Sequence, residues 1–434
     1  MLKTLFILLI WFPCCLFAAP KDIIFWHSMA GQLGEEVSRL AQQFNHSQMD
    51  YKVIPIYKGD YNESLTSFAA AFRAKHPPQL IQVFEVGTSV MRSPAGVIKP
   101  VDVLMREQGM TIEKSKFFPA VLEKYSDNGV LLAMPLNVSV PVLFYDADAL
   151  AAFGVSSKSF PRTWGSLESL AKNLHDAGFA CTYTTAYPAW ILIESYLALH
   201  GLTVMNGDSV TYNNQHMMSH IERMRHWQKK HYFEYGGRGD DATVLFTSGK
   251  CPIFSQSSGA YAGLSELVSF HLGVAPMPID SGASASRHNN VVGGAALWVV
   301  AGQSPKIERG IAEFLMFLAK PVVQQSWYEH TGYLPLETQF SPPQDNYPHS
   351  ILGIAAFDLD NDKEKYHSIS QQGPQNQIRA INEQMLEAIF SGMMSTKDAM
   401  DNAVLRANHV LRRFKKNTRN YSPQKPGKGA LTGT

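Results

Sequence analysis

The first third of the chain alternates short apolar runs with amphipathic segments, and this alternation constrains the fold more than any other feature. The runs Ile23–Trp26, Tyr51–Tyr57 and Leu80–Val86 have the length and composition of strands. Between them, apolar residues recur at helical spacing over 33–44 and over 62–75. Strand, helix, strand, helix, strand predicts a parallel sheet with right-handed crossovers.

The same two patterns continue downstream, so the fold class is predicted as α/β. Further strands are expected at 142–145, 251–255, 272–276 and 291–300. Further helices are expected at 167–177, 221–230, 307–318, 322–330, 378–391 and 397–414.

The N-terminus has the layout of a secretory signal peptide. Lys3 precedes an apolar run from Leu5 to Phe17, and two small residues, Ala18 and Ala19, follow it. One alternative is a membrane span, for which the run is short. The other is a lipid anchor at Cys14 or Cys15, but neither cysteine follows the small residues that a lipoprotein signal needs. We therefore expect residues 1–19 to be removed on export.

Length and composition predict a packed protein of two lobes. Removal of 19 of the 434 residues leaves 415, more than one hydrophobic core usually supports. The chain is 45% hydrophobic and 17% charged, as in globular proteins. Its 38 basic and 37 acidic residues create no global field for nucleic acid or an anionic membrane. Any anion site must be local.

Two cysteines remain after export, Cys181 and Cys251. An oxidising compartment allows a disulfide between them; the alternative is a pair of buried free thiols in neighbouring strands. Residues 415–434 are rich in Lys, Gly and Pro, which predicts a mobile tail.

A search for catalytic and cofactor motifs finds no phosphate loop, nucleophile elbow or zinc helix. The histidines lack ligand spacing, so we expect no metal site, cofactor or catalytic residue. The stretch 291–302 contains two glycines but not the spacing of a dinucleotide loop, and it is interpreted as a buried strand.

Two segments have the chemistry of an anion site. The hydroxyl-rich turn at 255–258 precedes an apolar-periodic helix, whose free N–H groups favour an anion; the alternative is ordinary N-capping by Ser257 or Ser258. Arg379 follows a Gly-Pro turn near the start of an amphipathic helix, where the alternative is a solvated surface residue.

Five motifs together resemble one known family. They are FWHSM at 25–29, YKGDY at 57–61, QVFEVGT at 82–88, VVGGAALWV at 291–299 and HTGYLP at 330–335. The chain from about 23 to 414 resembles the periplasmic glycerol-3-phosphate-binding proteins of ATP-binding-cassette importers.

The resemblance implies a two-lobed fold of the maltose-binding-protein type, with ligand in the cleft between the lobes. It places the crossovers near 136–142, 279–291 and 333–338. The N-terminal lobe would then comprise 20–138 and 291–335, and the C-terminal lobe 139–290 and 336–414.

The resemblance also implies the ligand contacts. Tyr61 and Glu85 would bind the glycerol hydroxyls, because a carboxylate accepts from two vicinal donors. The phosphate would be bound by four side chains and one backbone N–H: Ser139, Ser257, Tyr333, Arg379 and Gly294. Tyr187 aligns with an aromatic residue, often Trp, beside the glycerol; nearby Trp190 is expected in the core.

The implied function is recognition without turnover. The protein would be a periplasmic monomer that captures sn-glycerol 3-phosphate and delivers it to the membrane permease of an importer, without nucleic acid. Glycerophosphodiesters such as glycerophosphocholine are the alternative cargo. A secreted glycerophosphodiester hydrolase and a maltose-type sugar binder are the rival functions.

Overall fold

The computed structural model describes residues 19–92, 96–206, 209–284, 286–338, 350–359 and 373–419. The predicted signal peptide apart from Ala19, the alternative lipid anchor at Cys14 or Cys15, and residues 420–434 of the predicted tail lie outside these ranges. Within the described ranges, no helix combines the length and the apolar character that crossing a bilayer would require.

The strands are short and most are buried. They are β1 Lys21–His27, β2 Tyr51–Tyr57, β3 Leu80–Phe84, β4 Ser126–Asp127, β5 Val130–Leu131, β6 Met134–Ser139, β7 Pro141–Asp146, β8 Tyr183–Thr185, β9 Met205–Asn206, β10 Ser209–Val210, β11 Phe233–Glu234, β12 Ile253–Ser257, β13 Leu272–Pro276 and β14 Gly293–Val299.

The α-helices are α1 Gly31–Ser47, α2 Tyr61–Arg73, α3 Thr88–Arg92, α4 Val101–Glu107, α5 Pro119–Lys124, α6 Ala147–Ala151, α7 Trp164–Asp176, α8 Tyr196–Leu199, α9 Gln215–Lys229, α10 Thr243–Thr247, α11 Tyr261–Leu267, α12 Pro305–Leu318, α13 Pro321–Thr331, α14 Ile351–Leu359, α15 Gln375–Phe390 and α16 Thr396–Arg419. A π-helix spans Ala189–Ser195, and single 3₁₀ turns lie at Glu85–Gly87, Lys114–Lys116 and Ser258–Ala260.

The first five-stranded sheet has the order β2-β1-β3-β14-β6. Strands β1, β2 and β3 pair in parallel, as the alternation predicts. Strand β14 enters between β3 and β6 and is antiparallel to both. Because β14 follows β6 by some 150 residues in the sequence, this sheet is built from two separate parts of the chain.

The second five-stranded sheet has the order β11-β8-β12-β7-β13, with β8, β11 and β12 parallel and β7 antiparallel to both of its neighbours. The chain leaves the first sheet at β6 and enters the second at β7, with only Val140 between them. It returns between β13 and β14. The two-lobed α/β class is thus present, while the exact lobe limits at 138/139, 290/291 and 335/336 stay predictions.

Helices cover the sheets with the apolar faces that their periodicity predicts. In α1 the buried residues are Val37, Leu40, Ala41 and Phe44, and the helix packs on β2. The break expected at Pro321 is the first position of α13, where a missing N–H costs no hydrogen bond.

The C-terminal helix is longer than predicted. Residues 415–419 continue α16 rather than beginning a tail. The basic residues of this last turn lie near the negative end of the helix dipole, which favours continued helix. The first five residues of the predicted tail are therefore helical, and the tail itself stays a prediction.

Cys181 and Cys251 are joined by a disulfide. Both are buried, and each lies two residues before the paired residues Tyr183 and Ile253 of neighbouring strands. Glu234 is the third member of the one metal-compatible grouping among the described residues. Since both sulfurs of that grouping are bonded to each other, neither is a thiolate that would bind a metal.

We expect the Cys181→Ala/Cys251→Ala variant to be less stable by ~4 kcal/mol, because the bond closes a long loop in the unfolded chain. The separation of the two cysteines is 70 residues. Urea unfolding of the variant and the oxidised parent measures the difference. Equal midpoints and slopes would show that the bond does not constrain the unfolded state.

Candidate functional site

A cavity of about 720 Å³ lies between the two sheets. Its walls come from both, because Phe84, Ser139 and Gly294 belong to the first sheet or its ends, and Ser257 ends β12 of the second. The eight residues that the resemblance implies as ligand contacts all line it: Tyr61, Glu85, Ser139, Tyr187, Ser257, Gly294, Tyr333 and Arg379. Segments distant in sequence converge here because strand ends of both sheets meet at the cleft.

Tyr61 is positioned by the start of α2. Asp60 caps this helix by accepting from the N–H groups of Asn62 and Glu63. The Tyr61 ring stacks on Phe84 with 5.2 Å between ring centroids. Its hydroxyl accepts a hydrogen bond of 2.9 Å from Asn137. Among the described residues, the O–H itself reaches the sulfur of Met29 alone, at 3.8 Å, so it can still donate to a ligand.

Glu85 begins the 3₁₀ turn that follows β3, at the carboxyl end of a parallel strand, and only 6% of its side chain is exposed. Its Oε1 accepts from the guanidinium of Arg379 at 2.7 Å. The resemblance assigned these two residues to opposite ends of the ligand. The structure instead brings them into direct contact.

Arg379 is held on its other side by Glu194 of the π-helix, with N–O distances of 2.8 and 2.7 Å. The side chain is 18% exposed, so it is not the solvated surface arginine of the alternative interpretation. Burial alone would lower the pKa of Arg379, but the charges of Glu194 and Glu85 outweigh it and raise that pKa. The guanidinium stays charged and is neutralised by carboxylates.

Lys124 lies behind this cluster. It lines a small cavity of about 10 Å³ together with Glu85 and Glu194. Burial lowers the pKa of Lys124, and the two nearby carboxylates oppose that shift. Arg379 is the basic residue that pairs directly with both carboxylates.

A second set of lining residues, called the donor wall below, carries neutral donors. Ser139 and Ser257 end their strands, and the Ser257 oxygen accepts from the Gly259 N–H at 3.2 Å while keeping its own proton. Ser257 therefore makes the N-capping bond that was the alternative to an anion site, and it also lines the cavity. Ser258 instead is fully buried, and its hydroxyl accepts from Val140.

Tyr333 completes the donor wall. Its ring stacks on Trp327 with centroids 5.9 Å apart, and a Cβ added to Gly259 would lie 2.3 Å from it. Burial raises the pKa of Tyr333 to about 12, so the phenol remains a proton donor at neutral pH.

Gly294 must be glycine for two reasons. Its φ is +97°, and a Cβ would lie 1.5 Å from the backbone oxygen of Asn137. The neighbouring Gly293 is constrained differently, since a Cβ there would meet the Trp190 ring at 2.3 Å. The glycine pair therefore lets β14 pass between β6 and the π-helix, and it leaves Gly294 on the cavity surface.

Tyr187 and Trp190 flank the remaining side. Trp190 is 5% exposed, as a core residue would be, and it also lines the cavity. Tyr187 is 40% exposed, and its ring lies edge-on to Trp190. The π-helix that carries Trp190 and Glu194 is a rare element that occurs frequently at functional sites.

Sequence reasoning missed Glu194, Lys124, Glu383 and Asn137. Glu383 lines the cavity, and burial raises the pKa of its carboxyl to about 7. The one available signal was Glu194, a single acidic residue in the apolar run AWILIES, because such a residue is rarely buried without a partner. The other three have no distinctive local pattern.

Two α/β bodies that enclose a cavity lined from both sides define a two-lobed solute-binding protein. The chain belongs to the bacterial extracellular solute-binding protein family, whose model matches residues 39–349.

Among its relatives is the sn-glycerol-3-phosphate-binding periplasmic protein UgpB of Pectobacterium atrosepticum, 37% identical over 92% of this chain and 94% of the relative. The protein of the same description from Escherichia coli K12 is 36% identical over 92% and 95%.

Solved structures show the same fold. UgpB of Mycobacterium tuberculosis in complex with glycerophosphocholine has a TM-score of 0.75 and 21% identity, covering 92% of this chain and 99% of that one. The maltose-bound MalE3 of T. maritima has a TM-score of 0.72 and 17% identity, covering 90% and 99%. These likenesses confirm the maltose-binding-protein type of fold.

We expect Arg379→Ala to lower the free energy of unfolding of the ligand-free protein by about 3–5 kcal/mol, because it leaves Glu85 and Glu194 buried without a counter-charge. Arg238→Ala is the matched control. Arg238 also pairs with a glutamate, Glu387, but the two side chains are 47% and 39% exposed. It should cost about 1 kcal/mol or less. Similar urea midpoints for the two variants would contradict the buried cluster.

Proposed function

We propose that this protein captures sn-glycerol 3-phosphate, or a glycerophosphodiester built on it, in the periplasm and delivers it to an ATP-binding-cassette importer. The observation that carries the proposal is that one cavity is lined both by a carboxylate with a phenol and by a set of neutral hydrogen-bond donors. Tyr61 and Glu85 offer a phenol and an acceptor to a vicinal diol. Ser139, Ser257, Tyr333 and the Gly294 N–H offer donors to phosphate oxygens.

The ligand would act as the bridge between lobes. Glycerol contacts come from the first sheet and its ends, whereas Ser257 belongs to the second sheet. A ligand with contacts on both sides binds the closed form better than the open form, so it shifts the population toward closure. That shift is the signal that a membrane permease needs from its binding protein.

Arg379 would orient the Glu85 carboxylate that accepts from the glycerol hydroxyls. A carboxylate fixed by a guanidinium keeps its orientation. A direct contact between Arg379 and the phosphate stays a prediction of the family resemblance.

We expect the protein to bind a glycerophosphodiester without hydrolysing it. Apart from the disulfide sulfurs and Glu234, no metal-compatible grouping is found among the described residues, and Glu85 is engaged by Arg379. Incubation with glycerophosphocholine should release no choline over many protein equivalents. Release of several choline molecules per protein molecule would contradict the proposal and support the hydrolase function. A maltose-type sugar binder would instead bind maltose without competition from glycerol 3-phosphate.

Ser257→Ala should weaken glycerol 3-phosphate binding by about tenfold or more, because a hydrogen bond to a charged group contributes ~1.5–3 kcal/mol. Ser258→Ala is the control: its hydroxyl serves Val140 rather than the cavity, so the folded variant should keep its affinity. Calorimetry measures both constants. Unchanged affinity in Ser257→Ala would remove this residue from the phosphate site.

The affinity for glycerol 3-phosphate should rise by roughly threefold from pH 5.5 to 6.5, because a phosphomonoester gains its second charge near pH 6. Glu383, whose pKa is about 7, is mostly protonated in this window. Glycerophosphoglycerol, a diester without this ionisation, is the control and should bind equally at both values. A monoester affinity that falls over the window would contradict a donor wall built for the dianion.

A further inference from the structure

The basic residues of the chain are unevenly distributed along it. Eight of the 38 lysines and arginines lie within residues 402–434, a stretch that contains no aspartate or glutamate. Residues 1–401 therefore hold the other 30 basic residues and all 37 acidic ones. The nearly neutral charge of the whole chain thus conceals an acidic body and a basic C-terminal segment.

Six of these eight basic residues belong to α16. One face of this helix is apolar and buried, with Ala403, Ala407 and Leu411 at most 1% exposed. Through this face α16 packs on α15, α9 and β10 and joins the hydrophobic core of the second sheet. Because one face is held in the core, the opposite face is held toward solvent.

The solvent-facing side of α16 carries a continuous stripe of basic side chains. Its members are all exposed: Leu405, Arg406, His409, Arg412, Arg413 and Lys416. At 3.6 residues per turn, these positions lie within about 120° of the helix circumference. We refer to these six residues as the basic face. It contains four full positive charges and no acidic residue.

The four charges of the basic face are not neutralised by carboxylates. None of them forms an ion pair with another described residue, and Arg406 donates to the neutral amide oxygen of Gln384 on α15. The acidic residues of α16, Asp398 and Asp401, lie in its first two turns, where Asp401 is paired with Lys397. The basic face therefore presents uncompensated charge to solvent.

Stabilisation of the helix end explains only part of this charge. Cations interact favourably with the helix dipole within about the last turn. Because α16 ends at Arg419, Lys416 is the one member of the basic face in that turn. Arg406, Arg412 and Arg413 lie further back in the helix, so the dipole does not account for them.

We propose that the basic face of α16 is a docking surface for an anionic lipid bilayer. The choice of a bilayer rests on the proposed function, which places the protein beside an importer embedded in one. The charges extend over ~15 Å of helix from Arg406 to Lys416, so they match an extended anionic surface and do not converge on one small anion. Leu405, which is 65% exposed, adds an apolar contact at the head-group boundary.

A groove between α15 and α16 supports a lipid as the partner. It has a volume of about 380 Å³ and is lined by Ala380 and Ile381 of α15 and by Arg406, His409 and Val410 of α16. The lining combines apolar and basic side chains. The same two chemistries, an anionic head group and the first apolar atoms of its chains, meet at the surface of a bilayer.

Co-sedimentation of the exported protein with vesicles tests the docking surface. Vesicles of equal parts phosphatidylglycerol and phosphatidylcholine are compared with vesicles of phosphatidylcholine alone, and saturating glycerol 3-phosphate keeps the ligand cavity occupied. We expect at least about hundredfold stronger binding to the anionic vesicles at low salt, since each basic residue near the surface contributes about fivefold. Most of this difference should disappear near about 0.5 M salt, because the added ions screen the attraction.

Replacement of the four charges tests which surface is responsible. Arg406→Gln/Arg412→Gln/Arg413→Gln/Lys416→Gln should weaken binding to the anionic vesicles by at least about a hundredfold. Glutamine is a good helix former and all four side chains are exposed, so this variant should fold. Its affinity for glycerol 3-phosphate, measured by calorimetry, should match that of the parent.

The matched control removes the same charge from four other helices. Arg73→Gln/Arg106→Gln/Lys229→Gln/Lys306→Gln changes exposed residues of α2, α4, α9 and α12, and none of them is in an ion pair with another described residue. This variant should keep most of the binding to anionic vesicles. Equal losses in the two variants would contradict a docking surface on α16 and assign the attraction to net charge.

The remaining outcomes separate this inference from the function on which it rests. If the parent binds glycerol 3-phosphate but not anionic vesicles, the docking surface is wrong and the proposed function stands. If it binds anionic vesicles but not glycerol 3-phosphate, the proposed function fails and the docking surface stands. Tighter binding to a DNA duplex than to anionic vesicles, at equal phosphate concentration, would overturn the assignment of the basic face to a bilayer.

Discussion

The guanidinium of Arg379 joins three elements that are far apart in sequence, and the geometry of the cleft depends on it. Arg379 lies on α15 and Glu194 on the π-helix, and both elements belong to the hydrophobic core of the second sheet. Glu85 follows β3, which belongs to the core of the first sheet. The Arg379–Glu85 contact is therefore an ion pair across the cleft. A pair with this little exposure tolerates only a narrow range of geometries, since separating its members leaves buried charges uncompensated.

This ion pair changes how the cavity recognises an anion. Because Arg238 and Arg379 are both paired with glutamates, the site offers a phosphate mainly hydroxyls and one backbone N–H. Such donors bind an anion by directed hydrogen bonds instead of a strong positive field. Discrimination then comes from the geometry of these hydrogen bonds.

Much of the fold could be predicted because it depends on local patterns. The alternation of strands and helices over 21–84, the buried face of α1 and the helix start at Pro321 all follow from periodicity and proline chemistry. The placement of β14 between β3 and β6 depends on pairing across some 150 residues, which no local pattern specifies. The end of α16 was misplaced because its last turn is as polar as a tail.

The candidate site also contains some residues that could be predicted from the sequence and others that could not. Gly294 was predicted through the family resemblance, and the structure supplies the physical reason for a glycine there, because its backbone conformation and its close approach to Asn137 exclude any side chain. The partners of Arg379 were not identifiable, because Glu85 and Glu194 are 294 and 185 residues away in sequence. Trp190 was expected to be a core residue, and it packs against Gly293 as such a residue would. It also lines the cavity, so one residue can belong to both the core and the site.

A crystal structure of the protein with bound glycerol 3-phosphate tests the central claim most directly. The account predicts phosphate oxygens within hydrogen-bond distance of Ser139, Ser257, Tyr333 and the Gly294 N–H, with the diol on Tyr61 and Glu85. It also predicts that the contact of Arg379 with Glu85 is retained. A phosphate seated on Arg379 with Glu85 displaced, or a ligand outside this cavity, would contradict it.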